Sequence, residues 1–307
     1  MRKSSSILIT GGAGFIGSHL ANTLFDAGFS NITCIDNLST GDWDRVNPKI
    51  NRIQSDIGDL SEEILQKILE STEVVFHLSA VKLHNKFNSF DEIIRHNVIA
   101  TEKLLRISGD SGIKTFIFTS SLYSYGMPSV SLTSEETPLE PTTYYGASKV
   151  MGEQLVKILA SEYGFNYSIA RLFFIYGENQ YAEGGYKSVI VNNFERLIQG
   201  QPALVHGDGS QVLDYLHVSD CVTALISMAK NPTNTILNIA SSAPVTILDL
   251  TLDMIEIFGA GSLVHSDPDW TAGTYRVGSN KKLREMLSWE AKIDLHQGLM
   301  KTLGSMR

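Results

Sequence analysis

The chain is poor in the features that mark membrane, nucleic-acid-binding or disulfide-stapled proteins. It carries two cysteines in 307 residues, Cys34 and Cys221, both in apolar contexts. Such cysteines read as small buried hydrophobes and suit a reducing cytoplasm. They offer no metal-ligand spacing, and the eight histidines form no His-x-x-x-His pair, so no metal site is expected. No apolar run approaches the roughly 20 residues that a bilayer demands. The opening Ile7-Leu8-Ile9 runs into glycines too soon to be the core of a signal peptide. Positive charge is also short: 25 Lys and Arg against 33 Asp and Glu leave a net charge of −8, with no basic stripe. That argues against a nucleic acid or an anionic membrane as partner. There is no repeat, low-complexity tract or clean linker. What remains, 43% hydrophobic and 19% charged, is the balance of a soluble globular enzyme. A chain of this length buries roughly three quarters of its unfolded surface and needs no staples.

The first half alternates short apolar runs with amphipathic stretches. Strands are predicted at Ser6–Thr10, Asn31–Asp36, Arg52–Ser55, Val74–Leu78, Thr115–Ser120 and Tyr167–Leu172. Helices are predicted at Phe15–Ala27, Glu62–Glu70, Phe90–Ser108 and Tyr144–Tyr163. This order predicts an α/β fold, a doubly wound parallel sheet (Rossmann-like) with helices on both faces. Beyond residue 173 the pattern loosens. Glu178–Tyr186 reads as a loop, Ser188–Gln199, Val218–Ala229, Ile247–Phe258 and Lys281–Leu287 as helices, and Ala203–Val205, Leu213–Leu216 and Ile236–Ile239 as short strands. The expected division is a dinucleotide-binding domain over 1–172, with 206–242 returning to it. A smaller, interwoven C-terminal substrate lobe would comprise 173–205 and 243–307.

Thr10-Gly11-Gly12-Ala13-Gly14-Phe15-Ile16-Gly17 joins the first strand to the first helix. Glycines at 11, 14 and 17 permit a tight turn and let backbone N–H groups approach a pyrophosphate at the positive helix end. Asp36 ends the second strand about 20 residues on. A carboxylate there accepts hydrogen bonds from a ribose 2′-hydroxyl and repels a 2′-phosphate, which favours NAD over NADP. Asp56 follows the third strand, where it could meet an adenine amino group or simply face solvent. Lys82 follows the fourth and, taken alone, reads as a solvated lysine.

Tyr145-Gly-Ala-Ser-Lys149 supplies chemistry. A phenol with a pKa near ~10 is a poor base. A lysine four residues later lies one helical turn away, and its charge is expected to draw that pKa toward neutrality. Such a tyrosine can take a proton from a substrate hydroxyl as its carbon is oxidised. Thr119-Ser120-Ser121 ends a strand where a doubly wound sheet opens its ligand crevice. Ser121 with Tyr145 and Lys149 makes a set of hydroxyl, phenol and ammonium.

With these residues in place, the chain resembles an extended short-chain dehydrogenase/reductase of the NAD-dependent epimerase/dehydratase group. The matching segments are the Gly11 loop, Asp36-Asn37-Leu38, Asp56-Ile57, His77-Leu78-Ser79-Ala80, Asn97-Val98, Ser120-Ser121, Tyr145–Lys149, Gly207-Asp208-Gly209-Ser210-Gln211 and Val218-x-Asp220. Asp36-Asn37-Leu38 and Val81-Lys82 are most similar to the UDP-galactose 4-epimerases. The resemblance implies Tyr145 as general base and acid, Ser121 as the group polarising the sugar oxygen, and Lys149 as partner of both the phenol and the nicotinamide ribose. It implies NAD contacts by Gly11, Gly14, Phe15, Ile16, Gly17, Asp36, Asn37, Asp56, Ile57, Leu78, Ala80, Lys82, Asn97, Tyr145, Lys149 and Phe173. It also implies a homodimer through the helices at Phe90–Ser108 and Tyr144–Tyr163.

Departures narrow the reaction. Leu122 and Tyr123 follow Ser121, where the resembling dehydratases carry an acid and a base. The glutamate of the decarboxylating relatives is also absent there. Redox at a single carbon remains. The expected function is epimerisation of a sugar nucleotide or related sugar through a transient ketone. A net sugar or polyol dehydrogenase or ketoreductase is the alternative, and a non-catalytic NAD-binding module a further one. Three polar anchors of the family's diphosphate site are missing: Phe174 stands for an asparagine, Leu213 for an arginine, and Ser266–Trp270 lacks another arginine. Lys187, Arg276 and His217 are candidate replacement cations. Substrate contacts are expected from Lys82, Ser121, Tyr123, Phe174, Lys187 and Tyr275.

Overall fold

The computed structural model describes residues 1–82, 89–128, 130–180, 187–269 and 271–307. The first half builds strand by strand. Strand β1 (Ile7–Thr10) leads into α1 (Phe15–Asp26), then β2 (Ile32–Asp36), β3 (Asn51–Gln54), α2 (Glu62–Leu69) and β4 (Val74–His77). Next come α3 (Phe90–Ile94), a π-helical turn (Arg95–Ile99), α4 (Ala100–Asp110), β5 (Thr115–Ser121), α5 (Tyr144–Tyr163) and β6 (Asn166–Leu172). The second half runs β7 (Phe174–Tyr176), α6 (Val189–Ile198), β8 (Ala203–His206), β9 (Val212–His217), α7 (Val218–Lys230) and β10 (Ile236–Ile239). It closes with β11 (Pro244–Thr246), α8 (Ile247–Phe258), β12 (Leu263–Ser266), β13 (Tyr275–Arg276), α9 (Lys281–Leu287) and α10 (Leu295–Met306).

Seven parallel strands form the main sheet in the order β10-β6-β5-β4-β1-β2-β3. The order reverses between β1 and β4, and ligands of doubly wound sheets bind in the crevice at that switch point. Strands β1, β4 and β5 are buried along their whole length because helices cover both faces. One apolar layer packs α1 and α7 on the sheet, with Leu20, Leu24, Val222 and Leu225 fully buried. The other packs Leu65, Leu104, Leu105 and Val156 against Phe116 and Ile169.

The C-terminal part has its own core around Tyr176, Phe194, Leu250, Met254 and Leu299. Its sheet contains β11-β9-β13, with β7 also paired to β9, while β8 and β12 pair separately. The chain weaves between the two parts: β9 lies in the small sheet, whereas α7 and β10, later in the same 206–242 segment, join the main sheet and its helical layer. Residues 181–186 of the expected 178–186 loop, and Trp270, lie outside the described residues. Among the described residues, no helix is long and apolar enough to cross a membrane.

The structure corrects two expectations. The single helix expected over Phe90–Ser108 is interrupted by the π turn at Arg95–Ile99. That turn aims Asn97 inward, where its amide accepts from Val81 N (2.8 Å) and donates to Val81 O (2.9 Å) and Ser148 Oγ (3.0 Å). Non-local hydrogen bonds thus outweigh the regular helix at this point. The C-terminus adds the unexpected α10, whose Asp294 N-cap accepts from Gln297 N.

Candidate active site

The glycine loop crosses the switch point under close steric limits. Gly11 has φ of +68°, and a Cβ there would meet Ser79 N at 2.9 Å. A Cβ on Gly17 would sit 2.0 Å from Gly11 O, so the helix could not approach the loop. Helix α1 starts at Gly14 with no side-chain cap, which leaves its first N–H groups turned toward the crevice. Phe15 and Ile16 are half-buried beside it. The turn suits a dinucleotide pyrophosphate, because its glycines let loop, strand and helix pack closely and leave the uncapped helix start available to an anion.

Asp36 is held rigidly. Its carboxylate accepts from Ala13 N (3.0 Å) and Leu38 N (2.8 Å), and each oxygen keeps a further lone pair for a ribose hydroxyl. Asp56 is more committed: Asn37 Nδ2 (3.0 Å), Gly58 N (2.8 Å) and His96 Nδ1 (2.9 Å) all approach its oxygens. It therefore fixes Asn37 and Ile57 in place. Leu78 and Ala80 are half-buried at the end of β4, where Thr10, Ser79 and His77 share hydroxyl and imidazole hydrogen bonds. Lys82 is exposed just beyond β4. The Asn97 side-chain amide bonds Val81 and Ser148, so it ties the segment before Lys82 to α5.

The hydroxyl, phenol and ammonium converge. Ser121 ends β5, its Oγ accepts from Tyr123 N at 3.3 Å, and its hydroxyl lies near enough to the Tyr145 phenol to favour the phenolate. Tyr145 and Lys149 lie in the first turns of α5, which Thr143 caps by accepting from Gly146 N. Lys149 Nζ donates to Thr119 O at 3.0 Å and stands 5.8 Å from the Tyr145 ring centre. All three side chains are buried.

The electrostatics overturn one expectation. Burial pushes the Tyr145 phenol upward, and the Ser121 hydroxyl only partly opposes it. Lys149 itself is pushed down to about 7, first by burial and then by repulsion from Lys82. Its ammonium is directed at the Thr119 carbonyl, so in the protein alone the lysine does not draw the phenol toward neutrality. Desolvation wins because both groups are removed from water.

Beside this set, Tyr123 meets Tyr145 edge to face, with ring centres 5.9 Å apart. The Arg276 guanidinium lies 5.3 Å over the Tyr123 ring. Arg276, Tyr275, Thr274, Met127 and Ser131 line a cleft of about 350 Å³. Strand β13 pairs with β9 so that Arg276 is the direct partner of Leu213, and the two side chains share one face of the small sheet. Phe173 is buried against Tyr125, and the Phe174 ring meets Tyr215 at a tilt, with ring centres 5.7 Å apart. Lys187 pairs with Glu195 at 2.6 Å. His217 is fully buried, caps α7 and lies 3.0 Å from Glu178. Sequence reasoning missed the proximity of Arg276 to Tyr123, since only the pairing of two distant strands creates it.

Residues 7–240 match the NAD dependent epimerase/dehydratase family. A Methanocaldococcus jannaschii protein provisionally named UDP-glucose 4-epimerase is 33% identical over 308 residues, covering 98% of each chain. UDP-glucuronic acid decarboxylase 1 of Arabidopsis thaliana is 29% identical over 326 residues, covering 100% of this chain and 71% of that one. The crystal structure of UDP-glucose 4-epimerase from Thermotoga maritima, solved with UDP-glucose, superposes with a TM-score of 0.91. It is 31% identical, with 98% of each chain covered.

Proposed function

The chain belongs to the NAD dependent epimerase/dehydratase family, and from that premise we propose that it is a 4-epimerase of a UDP-sugar. The observation that carries this reading is the convergence of Ser121, Tyr145 and Lys149 in one buried site. Leu122 and Tyr123 stand just beyond it, and neither brings the carboxyl group that elimination or decarboxylation would need there.

The glycine loop, Phe15, Ile16, Asp36, Asn37, Asp56, Ile57, Leu78, Ala80 and Lys82 would hold NAD along the crevice. Tyr145, Lys149 and Phe173 would flank its nicotinamide end. NAD supplies a two-electron acceptor that is restored within each turnover. Tyr145 takes the proton of the sugar hydroxyl and returns it once the transient ketone has turned its other face. Ser121 holds the reacting oxygen against the phenol throughout. Residues 1–172 with α7 and β10 would form the cofactor domain, and the remainder of 173–307 the sugar-nucleotide lobe. Arg276 would bind the diphosphate in place of the guanidinium missing at Leu213. The pairing of those two positions and the cleft beside Tyr123 support this.

A homodimer through α5 and the π turn fits the apolar side chains exposed there: Ile99 is 57%, Met151 45% and Ile158 60% exposed. Two buried free cysteines suit a cytoplasmic setting.

The test is incubation of the purified protein with UDP-glucose, UDP-N-acetylglucosamine or UDP-glucuronic acid, followed by proton NMR and by assay of NAD released on denaturation. Inversion at C4 with retained NAD and no net redox supports the proposal. Accumulated ketone with exchanging NAD would replace it with a dehydrogenase, released carbon dioxide with a decarboxylase. Bound NAD without turnover of any sugar nucleotide would leave a binding module. Sedimentation of Met151→Asp/Ile158→Asp as a monomer, against a dimeric parent, tests the interface.

A further inference from the structure

A buried polar row runs beneath the catalytic layer. Ser120 of β5, Arg171 of β6 and Asn238 of β10 are direct partners across three neighbouring strands, so their side chains share one face. Glu153 of α5 descends onto that row. Its Oε1 accepts from Ser120 Oγ (2.5 Å) and Arg171 Nε (2.8 Å), and its Oε2 from Arg171 Nη2 (2.6 Å). The two side chains are 0% and 2% exposed. The Arg171 guanidinium also covers the Tyr125 ring at 4.7 Å, and the Tyr125 hydroxyl donates to Asn238 Oδ1 at 2.7 Å.

The chemistry of this clamp touches the catalytic residues on both sides. Ser120 immediately precedes Ser121. Glu153 lies one helical turn beyond Lys149 and two beyond Tyr145, on the face of α5 turned to the sheet. Helix and strand are already in close contact, because a Cβ on Gly152 would meet the Phe118 ring at 2.5 Å. A buried ion pair is weak evidence of a stabilising role, since apolar pairs of equal volume often serve as well. This carboxylate, however, lies one turn from the buried Lys149 on the same helix face.

We infer that Glu153, locked by Arg171, is a positioning residue: it fixes the spacing between the Ser121 end of β5 and the Tyr145–Lys149 face of α5, and places a carboxylate one helical turn from Lys149. This rests on the reading of Tyr145 and Lys149 as the proton-handling pair. The other groups around Lys149 cannot replace it. Thr119 offers a neutral carbonyl and Phe118 a ring face. His77 of β4 is held neutral by burial. Lys82, after β4, repels the ammonium, and Glu153 is the group that opposes the fall of the Lys149 pKa.

The test is Glu153→Gln, which keeps the shape and an acceptor but removes the charge. Lysine-selective carbon-13 NMR of the purified protein reads the Lys149 titration directly, with Lys149→Arg to assign its signal. Lys149 is expected to titrate about one pH unit lower, a tenfold change in its charged-to-neutral ratio. The alkaline limb of kcat should move with it, with kcat at pH 8 down at least ~10-fold and KM within about twofold. Glu153→Asp should bring the titration back toward its native position. If Glu153→Gln does not fold, Glu153→Gln/Arg171→Met removes both charges together and is expected to shift Lys149 the same way. An unshifted Lys149 titration and an unchanged alkaline limb in either variant overturn the inference and leave a purely structural ion pair. Should no UDP-sugar be turned over at all, the reading of the reaction falls, while the NMR titration still decides the role of Glu153.

Discussion

Replacing Arg276 by methionine removes the guanidinium but keeps an apolar stem against Tyr123. Arg276 and Leu213 are register partners in parallel strands about 4.8 Å apart, so a guanidinium from either strand can reach the same anionic oxygen. Charge-assisted hydrogen bonds of this kind contribute roughly 1.5–3 kcal/mol. Arg276→Met should therefore weaken UDP binding about 10- to 150-fold. Leu213→Arg in the same chain should recover most of that loss, because it moves the charge to the neighbouring strand rather than restoring the original contact. Isothermal titration with UDP measures all three proteins, and NAD content and Tm report whether the fold survived. A dissociation constant for Arg276→Met within twofold of the parent, with NAD content and Tm unchanged, would show that the diphosphate is held elsewhere.

Tyr145→Phe removes only the phenolic oxygen, so the fold should persist while turnover drops at least ~100-fold; full turnover would remove Tyr145 from the mechanism. Asp36→Ala should weaken NAD binding and relax discrimination against NADP, since the ribose acceptor and its charge both disappear; equal cofactor affinities before and after would refute that role. Lys149 has a folded pKa of about 7 against 10.5 in the unfolded chain, so the unfolded state binds more protons between those values. The contribution of Lys149 to stability should rise with pH across that window. Lys149→Met in NAD-free protein should therefore raise Tm most near pH 7, with the gain shrinking toward pH 10; a gain that grows with pH would contradict the burial argument.

Much of the cofactor side was legible because its constraints are local. A strand, three glycines and a helix start are set by backbone sterics within one short segment. Tyr145 and Lys149 are one turn apart on any helix. The π turn at Arg95–Ile99 was not legible, because hydrogen bonds from Asn97 to Val81 and Ser148 maintain it, and both are remote in the chain. The two-residue β13 has no pattern of its own and becomes a strand only against β9. The electrostatic expectation failed for the same reason: helical spacing sets the separation of Lys149 and Tyr145, but their charge states depend on how much water the packed sheet and helices remove.

By itself, then, the sequence determined the alternation of strands and helices, the glycine turn after β1, the acid ending β2, and the helical spacing of Tyr145 and Lys149. These follow from steric limits and periodicities that act over a few residues. Only the tertiary structure decided that Arg276 pairs with Leu213, that Glu153 reaches Ser120 and Arg171, and that burial governs the titration of Tyr145 and Lys149. Those are distances between segments far apart in the chain, and only the packing of the sheet against its helices sets them.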